Sequence, residues 1–231
     1  MMKPTKQKMG VITLRGSVDI VVEFFGFAIN SILYQRGVYP HTSFKSIQKY
    51  GLPMLVTTDP GLDVYLAEVL KQLHGWMFRC EVRKLVVVVA SQATGHTLER
   101  WAFDVKVDAE FASSSAVPKS QADNVTEQKE IQAIFRQICA SVTFLPLLDE
   151  PCSFDLLIYA DRTAEVPATW GETDPKYITG GSQEVKLRSF TTKIHKVEGS
   201  VAYKFDEVKE AQDDEACIGL RGAAIAAKAG A

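Results

Sequence analysis

The segment from residue 185 to residue 205, VKLRSFTTKIHKVEGSVAYKF, constrains the fold most because its strand-like alternation changes phase twice. Its apolar residues lie on odd, then even, then odd positions: Val185 and Leu187, then Phe190, Thr192 and Ile194, then Val201, Tyr203 and Phe205. A one-residue shift turns every side chain of a strand to the opposite face, so one straight strand cannot bury all three groups. The segment therefore bends through bulges near Ser189 and Gly199, or its parts pair in different places. An ordinary hairpin closing an α+β domain is the simpler form of this interpretation.

Composition and charge exclude several classes of protein. The 231 residues suit one domain with tails, and 46% hydrophobic with 23% charged residues is typical of soluble globular proteins. A net charge of −2 gives no general attraction to nucleic acid or anionic membranes. The longest apolar run, residues 85–90, is too short to span a bilayer, and no signal peptide is evident at the N-terminus. We therefore expect an intracellular protein that binds neither nucleic acid nor membrane.

The four cysteines lie far apart, without a CxxC pair or a neighbouring histidine: Cys80, Cys139, Cys152 and Cys217. This spacing argues against a zinc site and, in a reducing compartment, against disulfides. We expect buried free thiols, and neither a metal nor a cofactor.

Three helices are predicted from apolar stripes and capping residues. The first spans residues 13–36 and is apolar on nearly every side, which is typical of a central helix. The second starts at 58–60 with Asp-Pro capping and ends before Gly75. The third begins near 124–127 in a capping-box pattern and ends before Pro146. The buried stripe of the third helix is predicted to be Ile131, Ile134, Phe135, Ile138 and Val142.

Strands and connections fill the rest of the chain. Residues 84–90 and 97–107 form a predicted hairpin, and 154–159 is a further strand. A high content of Ser, Pro and Gly predicts two long irregular connections, residues 109–122 and residues 161–181. Residues 1–10 are predicted to be a flexible arm, residues 11–205 the folded domain, and residues 206–231 an acidic, then Ala/Gly-rich, disordered tail.

No catalytic constellation emerges from the residues. None of the four histidines lies beside a nucleophile elbow, and Gly180-Gly181 lacks the Lys-Ser/Thr of a phosphate loop. A cysteine hydrolase using Cys152 and His195 is a remote alternative, because no orienting acid accompanies them. An exposed strand edge is the better candidate, since an extended peptide can complete it as an added strand.

Blocks along the whole folded region resemble the HORMA-domain family, and within it the spindle-checkpoint proteins. The match runs from about Gly10 to Lys204 with the blocks in family order, among them INSILYQRG (29–37), TFLPLL (143–148), CSFDLLIY (152–159), LRSFTT (187–192) and VAYK (201–204). The chain departs from the pattern in the loop 109–122 and in the tail after residue 205.

The resemblance implies an α/β (α+β) fold, with three main helices packed on a central antiparallel sheet. It also implies two conformers, open and closed, and a mobile safety belt at about residues 161–205 that clasps a partner peptide in the closed form. The peptide would pair with the strand 154–159. The expected peptide-binding residues are Phe154, Leu156, Ile158, Tyr159, Trp101 and Tyr203. Those expected in the belt are Arg188, Phe190, Ile194, His195 and Val197.

The resemblance further implies the partners. These are a mitotic arrest deficient one-type coiled-coil protein, the co-activator of the anaphase-promoting complex, and a second copy of the chain. The second copy would bind through Arg136, Gln137 and Phe144. An AAA+ remodelling ATPase with a HORMA-like adaptor would act on the arm before Thr13. The expected location is the nucleus and cytoplasm, with kinetochores in mitosis. Another HORMA adaptor, a translesion polymerase accessory subunit or a meiotic chromosome-axis protein, is the alternative.

Overall fold

A computed structural model describes residues 10–108, 117–168 and 170–205. The predicted arm before residue 10 and the predicted tail 206–231 lie outside the described residues. The described helices are α1 (Leu14–Gln35), α2 (Pro60–Phe78) and α3 (Gln121–Ala140), with short 3-10 turns at His41–Ser43 and Ser141–Thr143. The described strands are β1 (Gly10–Ile12), β2 (Phe44–Lys49), β3 (Leu52–Thr57), β4 (Val82–Ser91), β5 (Thr97–Val107), β6 (Val117–Lys119), β7 (Cys152–Ala160), β8 (Ser182–Thr191) and β9 (His195–Lys204).

The main sheet has five antiparallel strands in the order β7-β4-β5-β9-β8. One face packs against all three helices in a single core that includes Leu85, Trp101 and Val201. The opposite face carries a smaller apolar cluster around Val86 and Val88. Two short antiparallel strand pairs complete the fold, β1–β6 and the hairpin β2–β3. The predicted fold class is confirmed.

Helix α1 is the central helix, as its all-round apolar surface predicts. Thr13 caps it by accepting a hydrogen bond from the Gly16 amide, and Phe24, Phe25 and Ile29 are fully buried. By length and composition α1 could cross a membrane, but 61% of its most apolar stretch is buried inside the protein. A core helix passes the same test, so this feature is weak evidence for a membrane span.

The other two helices differ from their predicted limits. Helix α2 continues through Gly75 to Phe78 and ends in a turn where Cys80 has φ 58°. Helix α3 begins earlier than predicted, because Ser120 and Asp123 form the capping box. Its last residue is Ala140, so Val142, predicted on the buried stripe, is instead 42% exposed.

Several short elements were not predicted from the sequence. The predicted loop 109–122 contains β6 and the start of α3, while residues 109–116 lie outside the described part of the chain. Gly10, which was predicted to belong to the arm, lies in β1. The strands β2 and β3 were not predicted because their sequences lack a strong alternation of apolar and polar residues. The expectation of buried thiols holds for Cys152 but not for Cys139, which is exposed, or Cys80, which is half-buried. Cys217 lies outside the described residues.

The C-terminal hairpin (β8 and β9) resolves the phase changes. The register of β8 on β9 shifts between Lys186 and Ser189, so the bulge predicted near Ser189 is confirmed. The turn after Thr191 supplies the second change, and β9 then buries alternate residues from His195 onward. Gly199 is the β9 residue opposite this bulge, and β9 itself pairs regularly with β5 at that position. A Cβ at Gly199 would lie 3.2 Å from the Leu187 side chain, so glycine permits a close approach of the two strands.

Candidate functional site

Strand β7 is one edge of the sheet, and the long connection that follows it passes alongside. Among the described residues β7 pairs with β4 alone. Residues 161–181, here called the strap, form no described backbone hydrogen bond to β7. The outer edge of β7 therefore presents strand N–H and C=O groups that an added extended chain could pair with.

The start of the strap is fastened beside β7. Arg83, near the start of β4, forms a two-pronged ion pair with Asp161, with nitrogen–oxygen distances of 2.9 and 2.8 Å. The indole nitrogen of Trp76, at the end of α2, donates to the Glu165 carbonyl at 2.9 Å. The rings of Trp76 and Trp170 then meet edge to face with centroids 5.2 Å apart. These contacts hold the first half of the strap against α2 and leave the outer edge of β7 without a neighbouring strand among the described residues.

The second half of the strap crosses the sheet face that points away from the helices. Lys176 forms an ion pair with Asp155 of β7. The Arg100 guanidinium lies 4.5 Å from the centre of the Tyr177 ring, a cation–π contact, and donates to the Tyr159 hydroxyl at 3.2 Å. The strap thus runs from the β7 edge over β4 and β5 and enters β8 at the opposite edge of the sheet.

A cavity of about 400 Å³ lies between β7 and the strap. Its walls are mainly apolar and include both tryptophans named above: Trp76, Leu156, Ile158, Tyr159, Ala164, Val166, Trp170 and Pro175. A slot with apolar walls and an unpaired strand edge along one side suits an extended peptide with apolar side chains.

Three of the six predicted peptide-binding residues line this cavity, namely Leu156, Ile158 and Tyr159. Phe154 lies on the same strand but packs against Tyr39 and Tyr65 on the helix side.

Trp101 and Tyr203 do not line this cavity, and their role in peptide binding stays a prediction. Trp101 is fully buried and its indole nitrogen donates to Glu99 at 3.0 Å. Tyr203 lies on β9, which is separated from β7 by the two strands β4 and β5, and its hydroxyl donates to Gln183 at 2.8 Å. Both are core aromatics. Sequence alone does not distinguish an aromatic residue of the core from one that binds a peptide.

Trp76, Trp170, Arg100 and Tyr177 are site residues that sequence reasoning missed. Tryptophan is rare in the chain, with three in 231 residues, and one of them in a Pro/Gly-rich connection is a usable signal. The Arg100–Tyr177 contact joins residues far apart in sequence, and no local pattern indicates it.

The predicted belt residues form the anchor of the strap. Phe190 is buried, with its ring centre 4.8 Å from that of Phe24, and burial of such a ring contributes about 1.5–3 kcal/mol. Val197 lies in the same core, whereas Ile194 packs in a small cluster with Ile12 and Val117. Arg188 is exposed and lies in the bulge.

His195 is buried in a polar cluster beneath the hairpin turn. Its Nδ1 lies 2.6 Å from Ser17 Oγ, and Ser17 Oγ lies 2.5 Å from Thr192 Oγ1. The Nε2 atom is buried without a hydrogen-bond partner in the described structure, and burial lowers the pKa of His195 to about 4. The imidazole is therefore neutral at neutral pH and fastens the hairpin to α1.

The arrangement contradicts the hydrolase alternative. Cys152 pairs with Ser91 at one end of the sheet, and His195 pairs with Val107 at the other, about 33 Å away along β5. Burial, followed by the charge of Glu150, raises the pKa of the Cys152 thiol, which opposes formation of a nucleophilic thiolate. Within the described residues no group of three His, Cys, Asp or Glu side chains could hold a metal.

The three residues predicted for self-association lie on or just after α3. Arg136 is exposed and Phe144 is 41% exposed, as a contact surface requires. Gln137 is half-buried, and its side-chain oxygen accepts a hydrogen bond from the Arg188 amide at 2.6 Å.

Comparisons with known proteins agree with this geometry. A family model for the HORMA domain matches residues 17–195. Human mitotic spindle assembly checkpoint protein MAD2A is 54% identical over 193 residues, covering 84% of this chain and 93% of that protein. Maize mitotic spindle checkpoint protein MAD2 is 48% identical over 200 residues, covering 87% and 95%. A chain in the crystal structure of a mitotic checkpoint complex superposes with a TM-score of 0.75 at 45% identity, covering 82% of this chain and 99% of that one. These identities favour the checkpoint branch over other HORMA adaptors and agree with the expectation of a non-enzymatic protein. The chain therefore belongs to the HORMA-domain family, in its branch of MAD2 spindle assembly checkpoint proteins.

Proposed function

We propose that this protein is a two-state adaptor that captures partner peptides between β7 and the strap and thereby delays anaphase. The observation that carries the proposal is the unpaired outer edge of β7 beneath a strap tethered at both ends. The resemblance supplies the partners. They are a mitotic arrest deficient one-type coiled-coil protein that recruits the adaptor to unattached kinetochores, and the co-activator of the anaphase-promoting complex. Membership of a mitotic checkpoint complex, as in the crystal structure named above, is part of the same proposal.

In this proposal the described arrangement would be the closed state. Its C-terminal hairpin pairs with β5, so β7 is left free for a peptide. In the open state the hairpin would leave β5 and its anchor residues, including Phe190 and His195, would leave their pockets. A peptide that binds only the closed state shifts the population by its differential affinity.

Amide exchange with and without peptide tests this function. Synthetic peptides from the two partner classes should slow exchange of β7 backbone amides in the full-length protein, because those amides become paired. Ile158→Asp, which places a charge in the apolar cavity, should abolish the protection. Val64→Asp on α2 is the matched control, since Val64 is 59% exposed and outside the cavity. Protection elsewhere, with β7 unchanged, would refute the proposed site.

Self-association and reopening are the remaining parts of the proposal. Arg136 and Phe144 would contact a second copy of the chain, and an AAA+ remodelling ATPase with a HORMA-like adaptor would act at the N-terminal arm. Arg136→Ala should weaken the dimer in analytical ultracentrifugation and leave peptide binding intact; an unchanged dimer would remove Arg136 from this role. The location would be nuclear and cytoplasmic, and kinetochores in mitosis.

A further inference from the structure

Strand β8 is the second edge of the main sheet, and α3 lies along it. The register shift between Lys186 and Ser189 takes Leu187 and Arg188 out of the pairing with β9. The Arg188 amide instead donates to Gln137 Oε1 at 2.6 Å. Three residues later, the Thr191 amide donates to Glu130 Oε2 at 3.1 Å. Two side chains of one helix therefore accept the outward N–H groups of this edge strand.

The spacing of the two acceptors matches the spacing of the two donors. Glu130 and Gln137 are seven residues apart on α3, which is about 10.5 Å along a helix. Arg188 and Thr191 are three residues apart on β8, which is about 10 Å along a strand. A β8 displaced by one residue would present its outward N–H groups at other positions, and both hydrogen bonds would be lost together.

The bulge held by Gln137 decides which side chains of β8 face the core. Leu187, before it, packs on the core, and Phe190, after it, is buried. These positions have opposite parity, so without the extra residue Phe190 would face away from the core. Phe190 contacts Phe24 of the central helix and is 1% exposed.

We propose that Gln137 and Glu130 are positioning residues that set the register of β8 and so hold the C-terminal hairpin in its closed arrangement. Gln137 then acts within the chain, whereas the neighbouring Arg136 is free to face a partner. The consequence for peptide capture rests on the proposed function, because the hairpin is the anchor of the strap. The register itself does not depend on that function.

Site-specific amide exchange of the free protein tests the register. In Gln137→Leu the Arg188 amide should exchange about two- to tenfold faster, as expected for one lost hydrogen bond, while amides in β4 are unchanged. Gln137→Glu keeps an acceptor oxygen and should restore the slow rate. Gln128→Leu is the matched control, the same substitution at an exposed position of α3, and should have no effect on the Arg188 amide.

A second pair of variants, at Glu130, tests the proposal independently if the Gln137 variants fail to fold. Glu130→Leu should accelerate exchange at Thr191, and Glu130→Gln should not. An unchanged Arg188 rate in a folded Gln137→Leu protein, or an equal acceleration in Gln128→Leu, would overturn the proposal. Peptide binding is measured separately in the same variants. Normal peptide binding together with altered exchange at Arg188 or Thr191 would uphold the register proposal. If peptide fails to protect the β7 amides of the wild type, that result would count against the peptide site alone.

Discussion

Acidification is expected to weaken the docking of the C-terminal hairpin through His195. The side chain is 1% exposed and is held by Ser17 of α1, with no partner on Nε2 in the described structure. Burial lowers its pKa to about 4 from an ordinary 6.5. Because the folded state resists protonation of His195, the neutral imidazole makes its full contribution to the free energy of unfolding above pH 6.5. That contribution is lost as the pH falls from 6.5 toward 4.

The magnitude follows from the difference between the two pKa values. With an unfolded value of 6.5 and a folded value of about 4, proton linkage predicts that the free energy of unfolding falls by about 2 kcal/mol between pH 8 and pH 5. Two ion-paired carboxylates, those of Asp123 and Glu198, do not titrate within this range. The Lys193 ammonium and the amide of Ser120 lower the pKa of Asp123 to about 2, and Lys106 lowers that of Glu198 to about 2, so both are ionised at pH 5.

Denaturant unfolding at pH 8, 6.5 and 5 measures this effect in the wild type and in His195→Asn. The asparagine amide can still reach Ser17 but does not titrate, so the variant should lose about 2 kcal/mol less than the wild type over the same range. The comparison cancels the contributions of the other histidines and the carboxylates. Parallel pH profiles for the two proteins would show that His195 is not protonated on release and would refute the reasoning.

Three further substitutions test other contacts of the fold. Tyr177→Ala should speed amide exchange in residues 170–181 about two- to fivefold, because a cation–π contact of about 0.5–1 kcal/mol is lost; Tyr177→Phe keeps the ring and should not. Glu99→Gln leaves the buried Arg36 guanidinium without its carboxylate and should cost about 3–5 kcal/mol in thermal or denaturant unfolding, so a change below 1 kcal/mol would contradict a buried pair. Gly181→Ala would place a Cβ 2.6 Å from the carbonyl oxygen of residue 205 and should cost about 1–3 kcal/mol, whereas Gly180, with φ 92°, has open space and is not a steric test.

Elements with strong local signals could be predicted from the sequence. The all-round apolar surface of residues 13–36 predicts the central helix, and the phase change at Ser189 predicts a bulge that the structure contains. The limits of α2 and α3 were less accurate, because a helix continues through Gly75 when a better cap follows. A capping box at Ser120 likewise starts α3 before the one predicted at residue 124.

The contacts that build the candidate site could be predicted only in part. Alternation along β7 and β5 indicates strands. It does not distinguish a side chain at the slot, such as Ile158 of β7, from one in the core, such as Trp101 of β5. The fastening of the strap depends on pairs such as Trp76 with Trp170, which lie 94 positions apart and share no local pattern. Such pairs are set by tertiary packing, which a single sequence does not reveal.

In the proposed function the strap would close over a peptide at β7 while it stays attached to the far edge of the sheet. The strap is covalently continuous with β7 at residue 161 and with β8 at residue 182, so in the proposed function a peptide lying along β7 is enclosed on its open side. The peptide can leave by sliding along β7, or after the C-terminal hairpin detaches from β5. The second route requires Phe190 to leave the core and His195 to leave Ser17. Peptide residence time should therefore depend on Phe190 and His195 of the C-terminal hairpin and on Gln137 of α3, although none of these residues lines the cavity.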